Sequence, residues 1–329
     1  MASAKTHSTG EEMTGQDDES RTAMMTEGTP RESSSGSTTR DVWIDGSFVD
    51  QSEARISVFD HGLLYGDGCF EGIRIYNGRI FKLRSHLERL YASAESIRLA
   101  PSYDIDTLEQ VTREAVERNG LSDGYIRVVL TRGVGTLGLH PFKCERSSAI
   151  VIADTITLYP DSMYTEGMSV IVAKRPRIPV DCLDPRIKSL NYLNNILAKI
   201  EAIDAGVLEA IMLNTEGLVA ECTGDNIFVI KDGVISTPDT AAGMLHGITR
   251  EYVMETVAPA LGYSIEERPH RIEEVKAADE IFLTGTAAEI IGVSSIDGDQ
   301  VGGGKVGPIT AAMAAEFTRR VREEAAPED

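Results

Sequence analysis

Lys188 lies in the stretch DPRIKSLNYLNNILAKIEAIDAG, four residues before Tyr192, in a chain of 329 residues that has only nine lysines. It sits on an apolar approach just ahead of a helix-like run, which is where an amine could do chemistry instead of merely being solvated. Other stretches supply groups that would complement it. FEGIR with HLERL brings Arg89, EGLVAECTGDNIF brings Glu221, and HGITRE and TGTAAEI bring two loops of small or hydroxyl residues. One lysine, one tyrosine, one carboxylate and two such loops are the parts of an anion site beside an amine. Loops of this kind act through N–H donors at a helix start.

The elements that must position these groups can be read from periodicity. Leu193, Ile196, Leu197, Ile200 and Ile203 mark one face of an amphipathic helix that Gly206 would stop. Leu83, Leu87, Leu90, Ala94 and Ile97 mark another, and DTLEQVTREAVERNG a third. Strand-like runs joined by Asp45-Gly46, Asn77-Gly78 and Asp232-Gly233 predict hairpins. YIRVVLTRG, AIVIADTI, MSVIVAK, EAIMLN, LVAECT and EIFLTG read as strands; helices are expected after HGIT and over PITAAMAAEFTRRV. The pattern predicts an α+β fold in two domains, residues 41–158 and 168–329, joined by a connector at 159–167. Residues 1–40 hold hardly an aliphatic side chain and are expected to be a disordered polar tail.

Composition narrows the function. With 52 acidic and 32 basic residues the formal charge is -20, and the tail accounts for little of it with its seven acids and four bases. Such a surface argues against a nucleic-acid partner. It suggests a halophilic protein, or an ordinary acidic cytosolic one. No run approaches the ~20 apolar residues that cross a bilayer, and no secretory signal is visible, so a soluble cytoplasmic protein is expected. Cys69, Cys144, Cys182 and Cys222 show neither zinc spacing nor a disulfide framework. The six histidines form no metal-ligand cluster. GVGTLG at 133–138 matches a dinucleotide fingerprint, but Leu139, His140 and Pro141 follow where a helix is required. GGGK at 302–305 reads as a turn.

Taken together, these stretches resemble the class IV fold of pyridoxal-phosphate enzymes, and among them the branched-chain amino acid aminotransferases, from about Trp43 to Val321. The resemblance implies that Lys188 carries the pyridoxal 5'-phosphate and later moves the substrate proton. A free lysine with pKa near 10.4 is only about 0.04% neutral at pH 7, so such a role needs a perturbed amine. It further implies that Tyr192 bonds the cofactor's phenolic oxygen and Glu221 its pyridine nitrogen. Arg89, Ile248 with Thr249, and Thr286 would hold the phosphate, the last two loops each with donors at a helix start. Phe70, Tyr65 and Tyr125 would line a pocket for an aliphatic chain; Arg127, Tyr125, Thr286 and Ala287 would receive carboxylates. Amino acids and 2-oxo acids are the implied ligands, and a homodimer at least is the implied assembly. D-amino acid aminotransferases, amine transaminases and aminodeoxychorismate lyase share the fold, as would a non-enzymatic scaffold; FEGIRIY and YIR favour the branched-chain enzymes, and the intact residue set favours an enzyme.

Overall fold

A computed structural model describes residues 39–156 and 159–323. The expected disordered tail therefore falls, but for its last two residues, outside the described residues. Two sheets organise the rest. The first contains β1 (Asp41–Ile44), β2 (Ser47–Asp50), β3 (Gly68–Tyr76), β4 (Arg79–Ile80), β5 (Gly124–Thr131) and β6 (Ser148–Asp154). Their order is β2-β1-β6-β5-β3-β4, with every pairing antiparallel. The expected hairpin at Asn77-Gly78 forms because both residues adopt positive φ, 48° and 78°, as a tight turn between right-twisted strands needs.

Strict alternation gives this sheet two different faces. Along β5, Gly124, Ile126, Val128 and Leu130 are buried while Tyr125, Arg127 and Val129 are half-buried. The buried set packs with Ile73, Leu87, Leu90 and Leu108 under helices Leu83–Ser96 and Ile105–Arg118. Each such aliphatic side chain stabilises the fold by about 1.5–3 kcal/mol. The half-buried set remains available on the other face.

The second sheet is mixed. Its strands are β7 (Met168–Val172), β8 (Glu209–Leu213), β9 (Val219–Cys222), β10 (Asn226–Lys231), β11 (Val234–Thr237), β12 (Ile265–Glu267), β13 (Glu280–Gly285), β14 (Glu289–Ile296) and β15 (Asp299–Gln300). The order is β12-β11-β10-β13-β14-β7-β8-β9, with β15 beside β14. Helix Pro308–Glu323 covers β13 and β14 and buries Met313, Phe317 and Val321. Tyr76 and Phe81, from the β3–β4 hairpin, enter the same cluster; Phe81 meets Tyr252 and Phe317 edge-on at 5.0 and 6.2 Å.

Three outcomes differ from the reading of the sequence. EIIGVSSI, read only as the end of a loop motif, is the eight-residue strand β14, its apolar run buried between β13 and β7. The expected connector contains a helix, Asp161–Glu166. Helix Leu193–Asp204 forms as expected but turns Asn195, Ala198 and Ala202 inward. Leu193, Ile196, Ile200 and Ile203 are 46–64% exposed, so the apolar stripe faces away from the chain's own core. GVGTLG is followed by no more than a three-residue 3-10 turn, Pro141–Lys143, which leaves it without a helix N-terminus. No helix of the described residues is long and apolar enough to cross a membrane.

Candidate active site

The segment that bears Lys188 is laid along the start of β3. Leu190 N donates to Gly68 O at 2.9 Å, Phe70 N donates to Lys188 O at 3.0 Å, and Lys188 N donates to Ser93 Oγ at 3.2 Å. Tyr192 begins the following helix without using its side chain as a cap, so its hydroxyl is free for other work. Lys188 Nζ donates to that hydroxyl at 3.2 Å and stands 4.8 Å from the Phe70 ring centre. Phe70 and Tyr192 meet edge-on at 4.9 Å. The lysine is thus held between two aromatic rings with one polar contact.

Phe70 lies on the half-buried face of the first sheet. The pairing Gly72↔Arg127 and Arg74↔Tyr125 places Arg127 and Tyr125 on that face beside it. Arg127 stacks over Phe70, its guanidinium carbon 4.5 Å from the ring centre, and its Nη2 donates to Tyr125 Oη at 3.4 Å. Gly72 makes room for this: a Cβ there would lie 1.7 Å from the Tyr125 hydroxyl. Apolar walls with a guanidinium at the edge can receive an aliphatic chain or a carboxylate.

Glu221 comes from β9, whose four residues are all buried. Its Oε1 accepts from Arg177 Nε at 2.7 Å, and its Oε2 from Leu245 N at 3.0 Å and Asn226 Nδ2 at 3.4 Å. An ionised carboxylate offers about four acceptor positions, so one is left for a further N–H. Arg89, 13% exposed, is gripped by Glu71 through Nε at 2.7 Å and Nη2 at 2.8 Å, while Nη1 donates to His246 O at 2.5 Å. His86 Nδ1 lies 2.8 Å from Glu71 Oε2. Burial would raise the Glu71 pKa, but Arg89 and His86 outweigh it and hold the carboxyl at about 2. Burial lowers the His86 pKa against the pull of Glu71, and Nδ1, facing a carboxylate oxygen, is the donor of this bond. His246 leads into Gly247, the residue before helix Ile248–Tyr252, whose start carries no side-chain cap. Ile248 and Thr249 are therefore close in sequence and space to the loop that Arg89 grips.

Two expected members are placed differently. Thr286 and Ala287 occupy the tight turn between β13 and β14, where Gly285 pairs Glu289; the helix start expected for Thr286 is absent because the chain continues as a buried strand. Ala287 lines a cleft of about 580 Å³ with Arg74, Tyr159 and Tyr164. Tyr65, in helix His61–Tyr65, accepts from Gly138 N at 3.0 Å and so braces the 133–138 loop. Sequence reasoning missed Glu71, His86 and Arg177. The only available signal was general: a buried charge needs a partner. Also missed was a buried carboxylate pair, Glu209 and Asp225, each 3.4 Å from the Tyr159 hydroxyl. Burial and then Glu209 push Asp225 up to about 7.

The donor set suits a phosphorylated aldehyde of a protonatable ring. Arg89 and an uncapped helix start can take an anion, Glu221 has an acceptor position for a ring N–H, and an amine stands at Lys188. The amino-transferase class IV family profile matches residues 68–296. A putative branched-chain-amino-acid aminotransferase of Methanocaldococcus jannaschii is 46% identical over 276 residues, 84% of this chain and 94% of that one. A crystal structure of the Escherichia coli branched-chain amino acid aminotransferase superposes with a TM-score of 0.84 at 33% identity, covering 88% of this chain and 97% of that one. The branched-chain amino acid aminotransferase from Thermobaculum terrenum, in its PLP-bound holo form, gives 0.79 at 31% identity, covering 87% of this chain and 94% of that one.

Proposed function

The chain belongs to the class IV aminotransferases, and from that we infer that it transfers the amino group of L-leucine, L-isoleucine and L-valine to 2-oxoglutarate, with pyridoxal 5'-phosphate as its cofactor. The observation that carries this reading is Lys188 Nζ, bonded to Tyr192 and standing against Phe70 on the face that also bears Tyr125 and Arg127.

The bound cofactor supplies an electrophilic carbon for amines and a ring that takes up electron density. Lys188 would attach it and then move the proton at the substrate Cα. Tyr192 orients Nζ and would bond the phenolic oxygen. Glu221 would keep the ring nitrogen protonated. Arg89 and the N–H groups at Ile248 and Thr249 would hold the phosphate, with Thr286 as a further contact. Phe70, Tyr65 and Tyr125 exclude water around the aliphatic chain, while Arg127, Tyr125, Thr286 and Ala287 receive carboxylates. A homodimer is the working assembly: besides the stripe on helix Leu193–Asp204, Val58, Phe59, Leu63, Leu137 and Leu139 are exposed. Four free cysteines accord with a reducing, cytoplasmic setting.

The test is a panel of L- and D-amino donors against 2-oxoglutarate, coupled to borohydride trapping and peptide mapping. Leucine, isoleucine and valine of the L series should lead the panel, and the trapped label should sit on Lys188. A label on another lysine, or a preference for D-donors, would sink the reading.

A further inference from the structure

The FEG tripeptide of β3 divides across the first sheet. Phe70 and Gly72 belong to the face that carries Tyr125 and Arg127, whereas Glu71 points the other way, towards helix Leu83–Ser96, and is wholly buried. A carboxylate in that position must be satisfied or be costly. It is satisfied by two nitrogens of Arg89 and by His86 Nδ1.

We propose that Glu71 is the positioning residue of the phosphate end, with His86 as its second support: it fixes the Arg89 guanidinium in the one orientation that gives the site its preference for a phosphorylated cofactor. The inference rests on the reading of Arg89 as a phosphate ligand. An arginine has five N–H groups. Two go to Glu71 and one to His246 O, which leaves one on each terminal nitrogen. Those two form a fork for two anion oxygens. The bond to His246 also ties the fork to the loop that enters helix Ile248–Tyr252, so one carboxylate sets the spacing between the two sources of N–H donors.

Two effects oppose each other when Glu71 is changed. Loss of its negative charge favours an anion nearby, and loss of its grip frees a long, rotamer-rich side chain that must then be ordered during binding. The second wins here, because Arg89 recognises oxygens through direction and its charge is already balanced by a bidentate partner. His86 acts through Glu71 alone among the side-chain contacts described, adding a third bond to the carboxylate.

The experiment compares the affinity of apoenzyme for pyridoxal 5'-phosphate and for pyridoxal, in wild type, Glu71→Gln and Glu71→Asp. Glu71→Gln should weaken binding of the phosphorylated aldehyde by about 10–100-fold and leave pyridoxal within about twofold, so the ratio collapses. Glu71→Asp keeps the charge and protects folding, but withdraws the carboxylate by one methylene; its ratio should fall by an intermediate factor. Equal losses for both aldehydes would assign Glu71 a purely structural role and overturn the proposal, as would an unchanged or increased ratio in a wild type that itself prefers the phosphate. A wild type that takes up neither aldehyde overturns the functional reading beneath it.

Discussion

At the end of the site proposed for the phosphate a cation, Arg89, is held by a buried carboxylate; at the end proposed for the ring a carboxylate, Glu221, is held by a buried cation, Arg177. The charges are reversed and the logic is shared: a functional charge kept nearly dry needs an opposite partner behind it. Each carboxylate takes three donors, and the two differ in what those donors are. Glu71 is held by two nitrogens of Arg89 and by His86 and serves as support for the arginine, while Glu221 is held by Arg177, Asn226 and the Leu245 N–H. The supporting member is wholly buried at the phosphate end, at 0% exposure, whereas Arg177 and Glu221 are almost equally so, at 6% and 7%. In the proposed reading the carboxylate is the mount at one end and the cation would meet the ligand; at the other the cation is the mount and the carboxylate would accept the ring N–H.

The largest expected effect breaks the ring end. Glu221→Gln should lower kcat about 10³-fold, the scale of losing one preorganised electrostatic partner, while leaving cofactor bound. Arg177→Gln should leave more activity and less stability, because an unpaired buried Glu221 costs about 3–5 kcal/mol. Steady-state rates and melting curves of both variants decide it; equal losses in both quantities would erase the distinction between ligand and mount. A smaller effect is expected between the ends. Tyr192→Phe removes one bond from Lys188 Nζ, worth about a tenfold loss in kcat at most. An unchanged rate would mean that the tyrosine orients nothing.

What was legible in the sequence shares a physical character. Lys188 and Tyr192 are four residues apart, Asn77-Gly78 carries its turn geometry in its residue types, and β5 shows its two faces by alternation. All are local. The mounts are not: Glu71 meets Arg89 18 residues away, and Arg177 meets Glu221 44 residues away. With 32 basic and 52 acidic residues, nothing local says which of them pair in the interior. The helix after Lys188 shows a third kind of limit. Its period reveals an apolar stripe, yet only packing shows that Ala198 and Ala202 face β8 while Ile196 and Ile200 face outward. The helix start expected at Thr286 is absent for a related reason: a motif of small residues resembles a helix start until the strand that follows it is seen.

Salt should separate the buried ends from the surface. With a formal charge of -20, the surface repels itself, and at 1 M ionic strength the screening length falls to about 3 Å. The melting temperature is expected to rise on the order of 5 °C between low and molar salt. The buried pairs are screened far less, so kcat should stay within about twofold. A flat melting temperature would remove the case for a salt-adapted surface, and a steep change in kcat would mean that the two pairs are wetter than their burial implies.

The smallest effect compares Glu71 with another buried carboxylate, Asp225. Arg89 and His86 overcome the cost of burial at Glu71 and lower its pKa from 4.5 to about 2. The fold then binds fewer protons than the unfolded chain, so this stability is present above pH 4.5 and is lost as pH falls towards 2. Asp225 has the opposite sign. Burial and Glu209 raise it from 3.8 to about 7, so the folded chain binds the extra proton and stability declines as pH rises through that window. Lys199, which donates to Glu209 at 3.0 Å, tempers the repulsion without removing it. Asp225→Asn should therefore raise the melting temperature at pH 8 by about 2–4 °C relative to wild type and raise it less at pH 5. Glu71→Gln should instead lower it at pH 8 and converge with wild type under acid. Parallel curves for the two variants would show that a buried carboxylate's environment, cation or carboxylate, does not set the sign of its contribution in this protein.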